Sequence, residues 1–115
     1  RVLVEGLVEL GVLRGKASRL LERGAYRPYF PHSIGHTLGL DVHDIGRMRG
    51  ERRLTLQEGM VISIEPGLYF TSRAGKVPAC GVRIEDDVLV TAGGARVLSA
   101  AFPKEPGEIE QLLAF

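Results

Sequence analysis

Cysteine is nearly missing from this chain of 115 residues: Cys80 stands alone. An internal disulfide is therefore excluded, and a reducing, cytoplasmic setting is expected. No histidine or asparagine lies beside Cys80 in sequence to activate it, so it reads as a small, half-buried strand residue rather than a nucleophile. Charge of one sign is missing too. Fifteen Lys and Arg against fourteen Asp and Glu leave a net charge of +1, which gives no electrostatic case for nucleic acid or a membrane surface. The one basic cluster, Arg47, Arg49, Arg52 and Arg53, carries no interleaved aromatics and is interrupted by Glu51, so a solvated loop is expected there. No apolar run approaches a membrane span, and no signal-peptide pattern is present. Internal repeats, low-complexity segments and interdomain linkers are absent as well. With 44% hydrophobic and 25% charged residues, what remains is an ordinary globular composition of at most one domain.

Periodicity then places the elements. Leu3, Leu7 and Leu10, widened by Val4 and Val8, form the stripe of a first helix, weakened by Gly6 and Gly11 and stopped near Gly15. A second helix is expected from about Ser18 to Arg23, with Leu20 and Leu21 buried and Gly24 as its cap. Pro28 and Pro31 predict an extended segment from Tyr26 to Pro31. A turn from Leu54 to Gly59 leads into a strand, Met60 to Glu65, ended by Pro66-Gly67. Alternation puts Val61, Ser63 and Glu65 on one face and Met60, Ile62 and Ile64 on the other. Thr71 to Pro78 reads as loop. One long strand is expected from Gly81 to Thr91, with Arg83, Glu85, Asp87 and Leu89 sharing a face. A turn at Ala92–Ala95 returns it to a short strand, Arg96 to Ala100. Pro106 to Leu113 should be a terminal helix with Ile109, Leu112 and Leu113 inward.

The chemistry is concentrated in His32-Ser33-Ile34-Gly35-His36-Thr37-Leu38-Gly39-Leu40-Asp41-Val42-His43-Asp44, which holds every histidine of the chain. Glycines and β-branched residues make this a loop with a short strand. His32 and His36 are four apart, but the zincin pattern needs a Glu after the first His and a helix beneath both; Ser33 and the glycines rule it out. Neither Ser33 nor Ser63 sits in a nucleophile elbow, and no phosphate-binding fingerprint is present. What remains is a metal site assembled from separate strands. Glu65 ends an otherwise apolar strand, where a carboxylate is costly to bury unless paired or ligated. A lone strand glutamate is most often an ion pair or simply exposed. Glu65 and Glu85 together with the histidine segment favour a donor set for a divalent metal.

These segments carry a resemblance. His32 to Asp44 resembles the signature of the proline-specific branch of the pita-bread metallopeptidases, the family of methionine aminopeptidase, proline dipeptidase and Xaa-Pro aminopeptidase. Met60 to Tyr69, with its Glu-Pro-Gly, is similar to that branch's ligand strand. Gly81 to Thr91, with its Gly-x-Arg-Ile-Glu-Asp-Asp, is similar to its last one. The tail from Pro103 to Glu110 is more like an Xaa-Pro aminopeptidase ending than a proline dipeptidase ending. The resemblance covers essentially all 115 residues.

It implies an α+β fold, the C-terminal half of a pita-bread domain: a curved antiparallel sheet with helices on its outer face. It implies His36, Glu65 and Glu85 as metal ligands, Glu85 bridging two divalent ions (Mn first, Co or Zn as alternatives). It implies His43 beside the site, against substrate or intermediate. His32 would line the pocket for the residue after the scissile bond, and Arg83 would orient Glu85 and relay protons. The reaction implied is release of the N-terminal residue from peptides with proline second. A proline dipeptidase, or a non-catalytic protein-binding module of the same fold, is the alternative. Of the family's five ligands two are aspartates expected ahead of Arg1. Residues 1–115 are thus expected to be the C-terminal portion of a catalytic domain, inactive alone, and either self-associating or completed by a missing N-terminal half.

Overall fold

In the computed structural model residues 1–44 and 55–114 are described; the basic cluster and Leu54 lie outside them. Along the chain the elements are α1 (Val2–Glu9), α2 (Ala17–Glu22), β1 (Thr37–Leu38), β2 (Val61–Ile64), β3 (Gly67–Phe70), β4 (Cys80–Arg83), β5 (Asp86–Thr91), β6 (Gly94–Val97) and α3 (Pro106–Leu113). All strand pairings among the described residues are antiparallel, in keeping with the expected α+β class. The chain divides into two compact units, Arg1–His32 with Gly67–Arg83, and Ser33–Pro66 with Ile84–Phe115.

The first unit packs α1 and α2 together beside the β3–β4 pair. Its core is Val4, Leu7, Leu20 and Phe70. Burying a leucine of this kind is worth roughly 1.5–3 kcal/mol. Both helices end in a left-handed glycine, Gly11 at φ 72° and Gly24 at φ 67°. In each, the glycine N–H and the next N–H bond back into the last turn: Gly11 to Val8 and Val12 to Leu7, Gly24 to Leu21 and Ala25 to Leu20. Only glycine takes that conformation without strain. α1 therefore stops at Gly11 rather than near Gly15. Leu10, beyond its end, is 41% exposed rather than part of the stripe, and Leu21 is exposed rather than buried. The expected extended segment after Gly24 is a turn instead. The Tyr26 carbonyl accepts from the Tyr29 and Phe30 N–H groups, and Tyr29 packs on Phe70 with ring centroids 5.4 Å apart. Cys80 is in a strand as expected, but exposed rather than half-buried.

The second unit holds the sheet β1-β2-β5-β6. β2 occupies an interior position, with Ile62 and Ser63 buried on opposite faces. The long strand expected from Gly81 to Thr91 is instead two, broken at Ile84-Glu85. The break has a chemical cause. The β2–β5 and β3–β4 pairings keep the same register offset, and the steps left out between them are Glu65 opposite Glu85 and Pro66 opposite Ile84. Ile84 N–H donates to the Pro66 carbonyl at 3.4 Å. Proline has no N–H to return that bond, so the ladder cannot run through it. β6 begins two residues earlier than expected and ends at Val97. α3 has the expected bounds, but none of its residues is buried: Ile109, Leu112 and Leu113 are 40%, 66% and 64% exposed.

Candidate metal centre

The β2–β5 register fixes where the two glutamates go. Ile62 pairs with Val88 and Ile64 with Asp86, and the Val90 N–H donates to the Met60 carbonyl. Even-numbered residues of β2 thus point their amides at β5. Glu65 and Glu85 fall at a step between hydrogen-bonded pairs, where opposed side chains come closest. The Glu65 amide turns the other way and donates to the Ile34 carbonyl at 2.7 Å. That bond continues the β1 register, Thr37 with Ile62 and Leu38 with Val61, back into the histidine segment, and sets His36 opposite Ser63.

His36, Glu65 and Glu85 consequently converge: each offers one donor atom, and all lie within 4.8 Å of one another. Atoms sharing one ion at about 2.0–2.2 Å stand at most roughly 4.4 Å apart, so a small side-chain adjustment closes the set. His36 Nε2 is 3.2 Å from Glu65 Oε1, with side chains 21% and 13% exposed. His36 Nδ1 is 3.1 Å from the Thr37 carbonyl, to which it can only donate. A neutral ring with its proton on Nδ1 presents the Nε2 lone pair to the carboxylate. Two acceptors face each other there unless a proton or a cation lies between them. One imidazole nitrogen held in this tautomer by a carbonyl, with two carboxylates, suits a divalent ion. Glu85 is more exposed, just ahead of β5 rather than mid-strand.

Ser63, wholly buried, ties the group together. Its N–H donates to the His36 carbonyl at 2.9 Å. Its hydroxyl accepts from the His36 N–H at 3.0 Å and donates to Glu65 Oε1 at 3.2 Å. Sequence reasoning put Ser63 on the Glu65 face but gave it no role; its position two residues before a ligand candidate on one strand was the signal. A β-carbon on Gly35 would lie 1.9 Å from the Ser63 carbonyl oxygen, so only glycine lets the chain pass here.

The remaining site candidates divide between the units. His43 lies in the second, exposed, its ring edge-on to His36 at 4.4 Å between centroids. His32 lies in the first, between Phe30 and Tyr69, its Nε2 3.1 Å from the Tyr69 hydroxyl. Tyr69 is a partner the sequence did not single out. Arg83 ends β4 in the first unit, its residue exposed. No helix among the described residues is long and apolar enough to cross a membrane.

The strand break thus gathers one imidazole and two carboxylates on an antiparallel sheet, a donor set that could hold a metal, and the profile of metallopeptidase family M24 matches residues 4–92. The chain belongs to that family. It is 45% identical over 118 residues to the Xaa-Pro aminopeptidase of Haemophilus influenzae, covering 100% of this chain and 27% of that protein. Against the Xaa-Pro aminopeptidase of Escherichia coli the identity is 45%, over 98% of this chain and 26% of the relative. Among solved structures, Pseudomonas aeruginosa aminopeptidase PepP superposes with a TM-score of 0.86 at 44% identity, over 98% of this chain and 27% of that one. Escherichia coli aminopeptidase P with the inhibitor Pro-Leu gives 0.84 at 44% identity, over 96% and 26%. The fold is thus of the pita-bread type that the motifs implied, and the chain spans about a quarter of the length of the relatives it matches.

Proposed function

We propose that this chain contributes His36, Glu65 and Glu85 to a divalent-metal centre that releases the N-terminal residue from peptides with proline second. The observation that carries the reading is the convergence of one histidine nitrogen and two carboxylates within 4.8 Å, in a chain whose relatives are named Xaa-Pro aminopeptidases. When bound, divalent ions supply Lewis acidity, polarising a scissile carbonyl and lowering the pKa of water. The oxygen-rich donor set favours manganese, with cobalt or zinc as substitutes.

The chain's own residues do the rest. His36 is held with Nε2 outward by its Nδ1 bond to Thr37. Glu65 is held by Ser63, and Glu85 would supply the second carboxylate that holds the metal. His43, exposed beside His36, contacts the substrate and stabilises negative charge as it develops. His32, fixed by Tyr69, lines the pocket for the residue after the scissile bond, and Arg83 orients Glu85 and passes protons. Cys80, a free exposed thiol, supports a reducing, cytoplasmic setting. Residues 1–115 act as the C-terminal portion of the catalytic domain. The tail from Pro103 to Glu110 supports the aminopeptidase over the dipeptidase.

Calorimetric titration with Mn(II) tests the donor set. Saturable binding is expected, and His36→Ala, Glu65→Gln and Glu85→Gln should each weaken it by about tenfold or more. Unchanged affinity in all three variants would overturn the assignment. With three of the five donors that the resemblance implies, the chain alone should show no turnover of an Xaa-Pro peptide in Mn(II). Turnover that survives purification and is lost in Glu85→Ala would show that three suffice.

A further inference from the structure

We infer that Ser63 is the positioning residue of this centre: through one hydroxyl it fixes the main chain of His36 and the carboxylate of Glu65, and so presets both donors before any ion binds. The inference rests on the metal reading of His36, Glu65 and Glu85 and adds what holds them. His36 and Ser63 stand opposite one another in the continued β1–β2 register, and the Ser63 N–H donates to the His36 carbonyl. In a regular ladder the return bond would run from the His36 N–H to the Ser63 carbonyl. Here it runs to the Ser63 hydroxyl oxygen instead, at 3.0 Å. A hydroxyl has a single proton. With its oxygen accepting from His36, that proton is directed at Glu65 Oε1, 3.2 Å away, the same oxygen that faces His36 Nε2.

Burial and sterics point the same way. Ser63 has no exposed surface, so water cannot substitute for its hydroxyl without repacking. A β-carbon on Gly35, next to His36 in the chain, would lie 1.9 Å from the Ser63 carbonyl oxygen and 3.4 Å from its hydroxyl oxygen, so this approach tolerates glycine alone. Orientation of donors by such supporting hydrogen bonds is worth about 10–100-fold in metal affinity.

The test uses the 115-residue chain, Co(II) as the probe, and two variants. Ser63→Ala removes both bonds, whereas Ser63→Thr keeps the hydroxyl. Co(II) is followed by its visible absorption, which reports ligand geometry as well as affinity, and melting curves establish that each variant folds. Ser63→Ala should bind Co(II) about 10–100-fold more weakly with an altered spectrum, and Ser63→Thr should restore both. In the metal-free chain, Ser63→Ala should speed exchange of the His36 amide by about tenfold, because its acceptor is gone. Affinity, spectrum and His36 exchange all unaltered in Ser63→Ala would overturn the positioning role while leaving the metal reading intact. A chain in which neither the parent nor any variant binds Co(II) would overturn the metal reading, and this inference with it.

Discussion

Two glycines of this chain carry opposite consequences for the same substitution. Gly35 passes so close to β2 that a β-carbon would lie 1.9 Å from the Ser63 carbonyl, a main-chain atom that cannot swing aside. Gly35→Ala should therefore push His36 away from Ser63 and destabilise the chain by about 1–3 kcal/mol, the usual range for forced overpacking. Metal affinity should fall with it. Gly6 sits inside α1 with nothing within 4 Å of the β-carbon it lacks. Gly6→Ala should stabilise by about 0.5–1 kcal/mol, through helix propensity alone. Urea denaturation of the two variants checks both signs; a Gly35→Ala chain as stable as the parent would mean the histidine segment shifts at little cost.

Among the elements, β5 is the one held from several sides. Its first residue, Asp86, accepts the Ser99 hydroxyl at 2.6 Å and the Lys104 ammonium at 3.0 Å. Ser99 also accepts the Asp87 N–H, and Lys104 donates to the Ser99 and Phe102 carbonyls. The segment after β6 is thereby latched to the start of β5, next to Glu85. The Ser99 hydrogen bond first, then Lys104, hold the Asp86 carboxyl below its ordinary pKa. A carboxylate with a depressed folded-state pKa stabilises the fold above its unfolded value, and that contribution is lost as pH falls through the folded one. The latch should thus be complete at neutral pH and open in acid below the ordinary carboxylate range. Exchange of the Asp87 amide as pH is lowered, corrected for intrinsic rates, should report the opening. Asp86→Asn should remove most of that pH dependence, and an identical profile in the variant would place the titrating group elsewhere.

At the scale of the whole molecule, much apolar surface is uncovered. In the first unit Val2 and Val82 are 80% and 59% exposed. In the second, Leu98, Phe102, Leu112 and Leu113 are 46%, 71%, 66% and 64% exposed, and α3 packs against no other element among those described. An exposed apolar set of this kind drives association. Sedimentation velocity across a range of concentrations should show self-association. A concentration-independent monomer with a sharp cooperative melt would show instead that this length of chain is self-sufficient.

The sequence by itself determined whatever depends on neighbours in the chain. Period two put Ser63 and Glu65 on one face, Gly24 marked the end of α2, Pro106 opened α3, and the histidine segment named its own family. Tertiary structure alone decided what depends on partners far along the chain. The strand from Gly81 to Thr91 looks unbroken until pairing sets Ile84 opposite a proline that has no N–H to give. Ser63 looks like a buried strand serine until His36 is brought across from it. The face of α3 follows from periodicity, but nothing in periodicity says whether a partner surface covers it. Local pattern fixes which way a side chain points; only register and packing fix what it meets there.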